Sequence, residues 1–443
     1  MSGIDIIGAF ESTYLPRHDR DIFESTAHDV QWKQDLKLLT ECGVSRLRYP
    51  VRWHRVEAEE GVFNWQDTDK VLHYLRDNGF RPIVDLVHHT SYPRWMEGGF
   101  ADPRFRTAYL RYTEEFARRY PWVQEYTLFN EPFSTLFLTG HEAIWPPYHE
   151  GVDSFVRQIL NVLPAVAEAS RAYAELLPGA KHVWVDTCEH HTGEGAAGGA
   201  YATMANERRF LVLDSFLGKY DGKGYDPDGP MAELLRDAGG EKLQEMEPGR
   251  IDVLGLDYYA HCQWHFDDKG GSTHTPHPLP LAQQIYLYWD RYRFPCLLTE
   301  TNIRGFTSDR ATWFKYVLEQ CERARHMGVP LDGLCWFPVI DSTDWASLLF
   351  RNDGHIDPVG VYWLDDELAR QPSVMSESYA KAAAGTPSKD LPAFTLREPV
   401  ATWLRGYESH MSHWNWSEAP DADQGNSLPN AQTRMELRIV NAE

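Results

Sequence analysis

Tyr126-Thr127-Leu128-Phe129-Asn130-Glu131-Pro132 and Cys296-Leu297-Leu298-Thr299-Glu300-Thr301-Asn302 read alike: each is a short apolar run that ends on a glutamate and then on loop chemistry. A run of this length, rich in β-branched and aromatic residues and bounded by turn formers, predicts a buried strand. Six more such runs lie around them, so the predicted strands are Ile4–Phe10, Val44–Tyr49, Arg81–His88, Val123–Asn130, His182–Thr187, Ile251–Tyr258, Pro295–Thr301 and Gly333–Val339. Each is followed by a helical pattern. Trp32, Leu36 and Leu39 fall at i, i+4 and i+7 ahead of Gly43, and Val71, Leu72 and Leu75 repeat the arrangement ahead of Gly79. Met327-Gly328-Val329-Pro330 does the same before the last strand. Eight βα units in series predict an α/β fold, a (β/α)8 TIM barrel.

The chain has 443 residues, long for one barrel, and the excess falls in stretches dense in Gly, Pro, Asp and His: about 189–205, 218–249, 260–282 and 341–373. These read as long loops at the C-terminal face of the strands, where barrels place their specificity. No linker divides the chain. Residues 1–416 are therefore expected to form one domain, and 417–443 a tail, in which Met435–Val440 could add an edge strand.

A net charge of −22 argues against nucleic acid or an anionic membrane surface as a partner. The opening Met-Ser-Gly-Ile-Asp-Ile-Ile-Gly has no basic segment followed by an apolar one, and no run of about 18 apolar residues occurs. Six cysteines (Cys42, Cys188, Cys262, Cys296, Cys321, Cys335) are scattered without a CxxC spacing. Free buried thiols in a cytoplasmic protein are the expectation. Oligomeric state is not legible.

The chemistry is carried by the two strand-end glutamates. Glycosidic oxygen is a poor leaving group and the sugar offers no good electrophile, so two carboxyl groups, one protonated and one ionised, are the usual means of cleavage. Strands four and seven of a parallel barrel open onto one mouth from opposing sides, which would set Glu131 and Glu300 face to face.

At these residues the chain resembles the family 1 glycoside hydrolases, over most of residues 1–365. Asn130-Glu131-Pro132 is similar to the family's acid/base motif, and Leu298-Thr299-Glu300-Thr301-Asn302 to its nucleophile motif, with Thr301 intervening before Asn302. Leu86-Val87-His88-His89 resembles the strand-three segment, with His88 for a glycone hydroxyl and His89 where Trp is usual. Gly255-Leu256-Asp257-Tyr258-Tyr259 resembles an Asn-Tyr-Tyr element; Tyr259 inherits a hydrogen bond to the nucleophile, and Asp257 departs from Asn. The resemblance further implies Arg48 beside Glu300, Asn130 at the 2-hydroxyl, Trp336 beneath the sugar, Asp344 and Trp345 as a glycone clamp with slipped spacing, and Glu11 in place of Gln. It implies a retaining β-glycosidase acting on a β-glucoside or β-galactoside, with no cofactor and no metal. The basic pocket of 6-phosphoglycosidases is not expected, since the loop after strand eight reads Asp341-Ser342-Thr343-Asp344.

Two rivals stand beside this reading. A metal-dependent barrel hydrolase could recruit His88, Asp186, Glu189 and His190, although these lack HxH or HExxH spacing. A barrel that binds carbohydrate without catalysis could carry the same strand ends. His190 and His191 are otherwise expected to be solvated loop residues.

Overall fold

The computed structural model describes residues 3–219, 236, 238–344, 347–348 and 354–420. Eight strands close into a barrel: β1 (Asp5–Ala9), β2 (Arg46–Pro50), β3 (Arg81–Asp85), β4 (Glu125–Thr127), β5 (Lys181–Thr187), β6 (Val253–Asp257), β7 (Cys296–Glu300) and β8 (Leu331–Cys335). All adjacent pairs are parallel, and β1 pairs with both β2 and β8. Every strand lies inside the run expected for it, except that β2 and β5 each extend one residue beyond and β8 starts two residues early.

Helices return the chain after each strand: α1 (His28–Glu41), α2 (Gln66–Asp77), α3 (Phe105–Arg119), α4 (Pro132–Gly140) with α5 (Gly151–Leu176), α6 (Gly195–Phe216), α7 (Leu281–Tyr292), α8 (Thr307–His326) and α9 (Val374–Ala383). Leu36 and Leu39 of α1, and Val71, Leu72 and Leu75 of α2, are buried as their spacing requires. Gly43, Gly79 and Gly328 stop their helices with positive φ, a conformation that glycine adopts without a Cβ penalty.

Strand alternation separates two cores. Ile7, Ala9, Ile83, Val183, Val185, Val253, Leu297 and Cys335, with Phe337, fill the barrel's interior. Leu47, Val84, Leu254, Leu298 and Leu334 face outward into the helix layer.

The loop reading of 189–205 needs correction. α6 begins at Gly195, inside a glycine-rich stretch whose propensity argues against a helix. Close packing explains it: a Cβ on Gly198 would lie 2.5 Å from the carbonyl oxygen of Phe266, on the short strand Trp264–Phe266. That strand joins Thr192–Gly193 and Ser272–His274 in a three-stranded sheet beyond β5 and β6, so 260–282 is partly strand as well. Trp363–Leu364 and Arg370–Gln371 pair within 341–373, and Trp416–Ser417 pairs with Ala393–Phe394. The possible edge strand Met435–Val440 lies outside the described residues. All six cysteines are free and buried. No helix among the described residues is long and apolar enough to cross a membrane.

A helix packs closely on the barrel at Gly8, where an added Cβ would meet Leu39 Cδ2 at 2.6 Å. Leu39→Ala should cost about 2–5 kcal/mol through the cavity it leaves. Gly8→Ala should cost about 1–3 kcal/mol by overpacking. The double variant should be more stable than the sum of the two predicts, by roughly 0.5–3 kcal/mol, because one change makes room for the other. Denaturant unfolding of the four proteins tests this, and strict additivity would contradict the contact.

Candidate active site

Three elements of backbone geometry aim the candidate acids. The register of β7 against β6 shifts between Leu298 and Glu300. Such an irregularity re-aims side chains, and here both Thr299 and Glu300 make contacts within the mouth. Beyond β4, the amide of Asn130 donates to Val87 O at 2.8 Å and that of Glu131 to Val185 O at 2.9 Å, which locks this segment between its neighbours. Glu131 itself has φ +43° and His89 φ +48°. Non-glycine residues in left-handed backbone cost roughly 1–3 kcal/mol each and persist where the surroundings impose them.

Arg48, on β2, joins the strand ends. Its Nη1 donates to Glu300 Oε1 at 2.5 Å and to the Thr299 carbonyl at 3.2 Å; its Nη2 donates to Asn130 Oδ1 at 2.5 Å and to Asp85 Oδ2 at 3.3 Å. Tyr259 Oη donates to Glu300 Oε2 at 2.7 Å. Burial, then the charge of Glu300, raises the Tyr259 hydroxyl well above its usual range, so it remains a donor. Both oxygens of Glu300 thus meet partners suited to an anion.

Glu131 is the opposite case. It is 0% exposed, and neither of its oxygens has a hydrogen-bond partner within 3.5 Å among the described residues. One oxygen each of Glu131, Asp257 and Glu300 lies within 4.8 Å of the other two. Burial first, then the charges of Glu300, Asp257 and Asp186, push the Glu131 carboxyl well above the usual range. Asn130 Nδ2, without a hydrogen-bond partner among the described residues, offers a donor here.

His88 and His89 divide between two environments. His88 Nδ1 lies 2.8 Å from Asp85 Oδ2 and its Nε2 3.5 Å from Glu11 Oε1. Burial opposes its charge, but Glu11 and Asp85 outweigh burial and push it up to about 10. His89 Nδ1 meets Thr135 Oγ1 at 3.0 Å, and its Nε2 lies 3.8 Å from Glu131 Oε2. Burial, then the positive charges of His88 and Arg48, drive its pKa well down, leaving it neutral.

Several expected residues are placed elsewhere. Trp336 points into the helix layer, edge-on to Phe314, with its indole donating to Val359 O at 2.9 Å. Phe337, the next residue, faces the site instead, stacked 5.6 Å from His88 and 5.7 Å from the Arg48 guanidinium. Asp344 belongs to a cluster after β8, where its amide donates to Asp357 Oδ2 at 3.0 Å. Trp345 lies outside the described residues. His191 is buried rather than solvated, 3.1 Å from Glu189 Oε2. The rival metal set His88, Asp186, Glu189 and His190 is not gathered; Glu131, Asp257 and Glu300 form the one such group among the described residues.

Asp85, Thr299 and Phe337 were not singled out from sequence, and Asp257 was noted only as a departure from Asn. Asp85 was within reach, since it precedes His88 by three on the same strand end.

The raised His88 pKa has a sign that can be checked. A histidine charged to about 10 in the fold and about 6.5 unfolded adds stability fully present below pH ~6.5 and lost as pH rises through about 10. The stability gap between wild type and His88→Gln should therefore narrow from pH 6.5 to 10. Glu11→Gln should move the His88 midpoint down in an NMR titration; an unmoved midpoint would refute the pairing.

The family model described as glycosyl hydrolase family 1 matches residues 5–293. That stretch includes Arg48, His88, Asn130, Glu131, Asp257 and Tyr259, while Glu300 lies just beyond it. Beta-glucosidase A of Thermotoga maritima is 21% identical over 385 residues, covering 76% of this chain and 82% of the relative. A beta-glucosidase of Agrobacterium sp. is 22% identical over 386 residues, covering 74% and 79%. Among solved structures, a Thermotoga maritima beta-glucosidase with a methoxycarbonyl-substituted glucoimidazole superposes with a TM-score of 0.73 at 17% identity, over 87% of this chain and 99% of that one. At such identity the structural likeness speaks for the fold, and the family model speaks for descent: the chain belongs to glycosyl hydrolase family 1 and is a glycoside hydrolase.

Proposed function

We propose that the protein is a retaining β-glycosidase in which Glu300 is the nucleophile and Glu131 the acid/base. The observation that carries this reading is the contrast between two buried carboxyls in one mouth: Glu300 held on both oxygens by a cation and a phenol, Glu131 raised and without a close donor. Oxygens within 4.8 Å fit the ~5–5.5 Å spacing of retaining enzymes better than the ~6.5–9.5 Å that leaves room for water in inverting ones.

Glu131 donates its proton to the glycosidic oxygen as the bond to the anomeric carbon breaks, and the bond's electron pair stays with the leaving oxygen. Glu300 attacks the opposite face and forms a glycosyl ester. Water then attacks the anomeric carbon, gives its proton to Glu131 and frees Glu300, so configuration is retained. Asn130 Nδ2 donates to the sugar 2-hydroxyl, while Arg48 and Tyr259 steady the nucleophile. Phe337 takes the place expected of Trp336 as the apolar surface under the ring.

The substrate is a β-glucoside or β-galactoside, in line with the beta-glucosidase names of the relatives. Residues 1–416 act as one domain, and six buried free thiols suit the cytoplasm.

Removing each glutamate separates the roles. Glu300→Ala should abolish both steps. Glu131→Ala should lose about 10²–10⁴-fold on poor leaving groups, yet show a burst with a dinitrophenyl glycoside, which needs no proton. Azide should rescue the Glu131 variant to a β-glycosyl azide and the Glu300 variant to the α anomer. Identical azide products from both would mean that the roles are misassigned.

A further inference from the structure

Asp257 is the third carboxyl of the mouth, and the mechanism above does not use it. It is 0% exposed, its Oδ1 accepts from Thr299 Oγ1 at 2.6 Å, and its Oδ2 has no close partner among the described residues. An oxygen of Asp257 lies within 4.8 Å of oxygens on both Glu131 and Glu300. We propose that Asp257 and Glu131 form a proton-sharing carboxyl pair, in which Asp257 acts as a positioning residue that keeps the transferable proton on Glu131. The proposal rests on the acid/base reading of Glu131.

The charges around the pair decide where the proton goes. From β7 come the Glu300 carboxylate and the Thr299 hydroxyl; from β2, the Arg48 guanidinium, committed to Glu300, Asn130 and Asp85. From β3 and its end come Asp85, charged His88 and neutral His89, the last 3.8 Å from Glu131. β5 contributes Asp186, which burial pushes up to about 8, with Cys188 just past its end; Tyr259 and Cys262 follow β6, and β8 contributes Cys335. Arg48 and His88 are the two cations of this set, and Glu300, Asp85 and Glu11 already exceed them by one charge. Two further anions at Asp257 and Glu131 would be uncompensated in a dry site. Two like carboxyls with oxygens within 4.8 Å of each other, buried together, lose their protons in two steps that belong to the pair. The first step leaves one proton for both. Thr299 donates to Asp257 Oδ1 and favours the anion there, so the remaining proton rests on Glu131. Burial, and then the charge of Glu300, raises Asp257 as well, in keeping with a shared site.

Asp257→Asn keeps the shape and removes the second anion, so Glu131 should ionise at lower pH. The basic limb of the kcat/KM profile should move down by at least one pH unit for a substrate with a poor leaving group. Above both limbs that is about tenfold lower activity per unit. With a dinitrophenyl glycoside, kcat/KM should not follow the shift, a difference that a merely structural role would not produce. Infrared titration of buried carboxyl C=O stretches reads the same pair without turnover: wild type should lose its last proton at higher pH than Asp257→Asn. Should Asp257→Asn fail to fold, Glu131→Gln serves instead, and Asp257 should then titrate below the pair's upper step. Coincident upper steps in wild type and either variant would overturn the proposal. A wild type that turns over no β-glycoside while showing the two-step titration would overturn the acid/base reading and leave the pairing standing.

Discussion

The guanidinium of Arg48 is the constraint on which the mouth depends. It is 2% exposed and reaches groups from three other strand ends: Glu300 and Thr299 on β7, Asn130 after β4, and Asp85 on β3. A buried charge is tolerable only when its partners are fixed around it, and these partners are fixed only when the barrel has closed. Closure and site assembly are therefore one event. Asp85 carries the same connection onward to His88 and so to Glu11 on the first loop.

From that constraint the two glutamates acquire opposite characters. Glu300 receives the cation and a phenolic donor; Glu131, across the mouth, receives burial and three carboxyl neighbours. Environments that push two carboxyls apart are what acid/base division needs. The neutral His89 ring, backed by Trp145 with centroids 5.0 Å apart, adds bulk beside Glu131 without adding charge.

Most of this architecture was legible in the sequence because parallel barrel strands are buried on both faces and stand out as apolar runs. Strand order then placed Glu131 and Glu300 in one mouth, and resemblance added Arg48 and Tyr259, both of which touch Glu300. What failed did so at strand ends. Alternation past Cys335 puts Trp336 outside and Phe337 inside, and a shift of one position cannot be read where regular pairing stops. Asp257 was seen only as a departure from Asn, since its meaning depends on two side chains 126 and 43 residues away. The segment from Gly195 looked like a loop because the reason for its glycines, close approach to the Phe266 backbone, is a tertiary contact that no local pattern contains.

The left-handed backbone at Glu131 has an evolutionary consequence. A glycine there would relieve the strained φ and remove a buried, poorly partnered acid in one step. The folded state would gain, at the expense of the acid that the proposed mechanism uses. Selection acting on heat tolerance alone would therefore favour that change, and selection for turnover would oppose it.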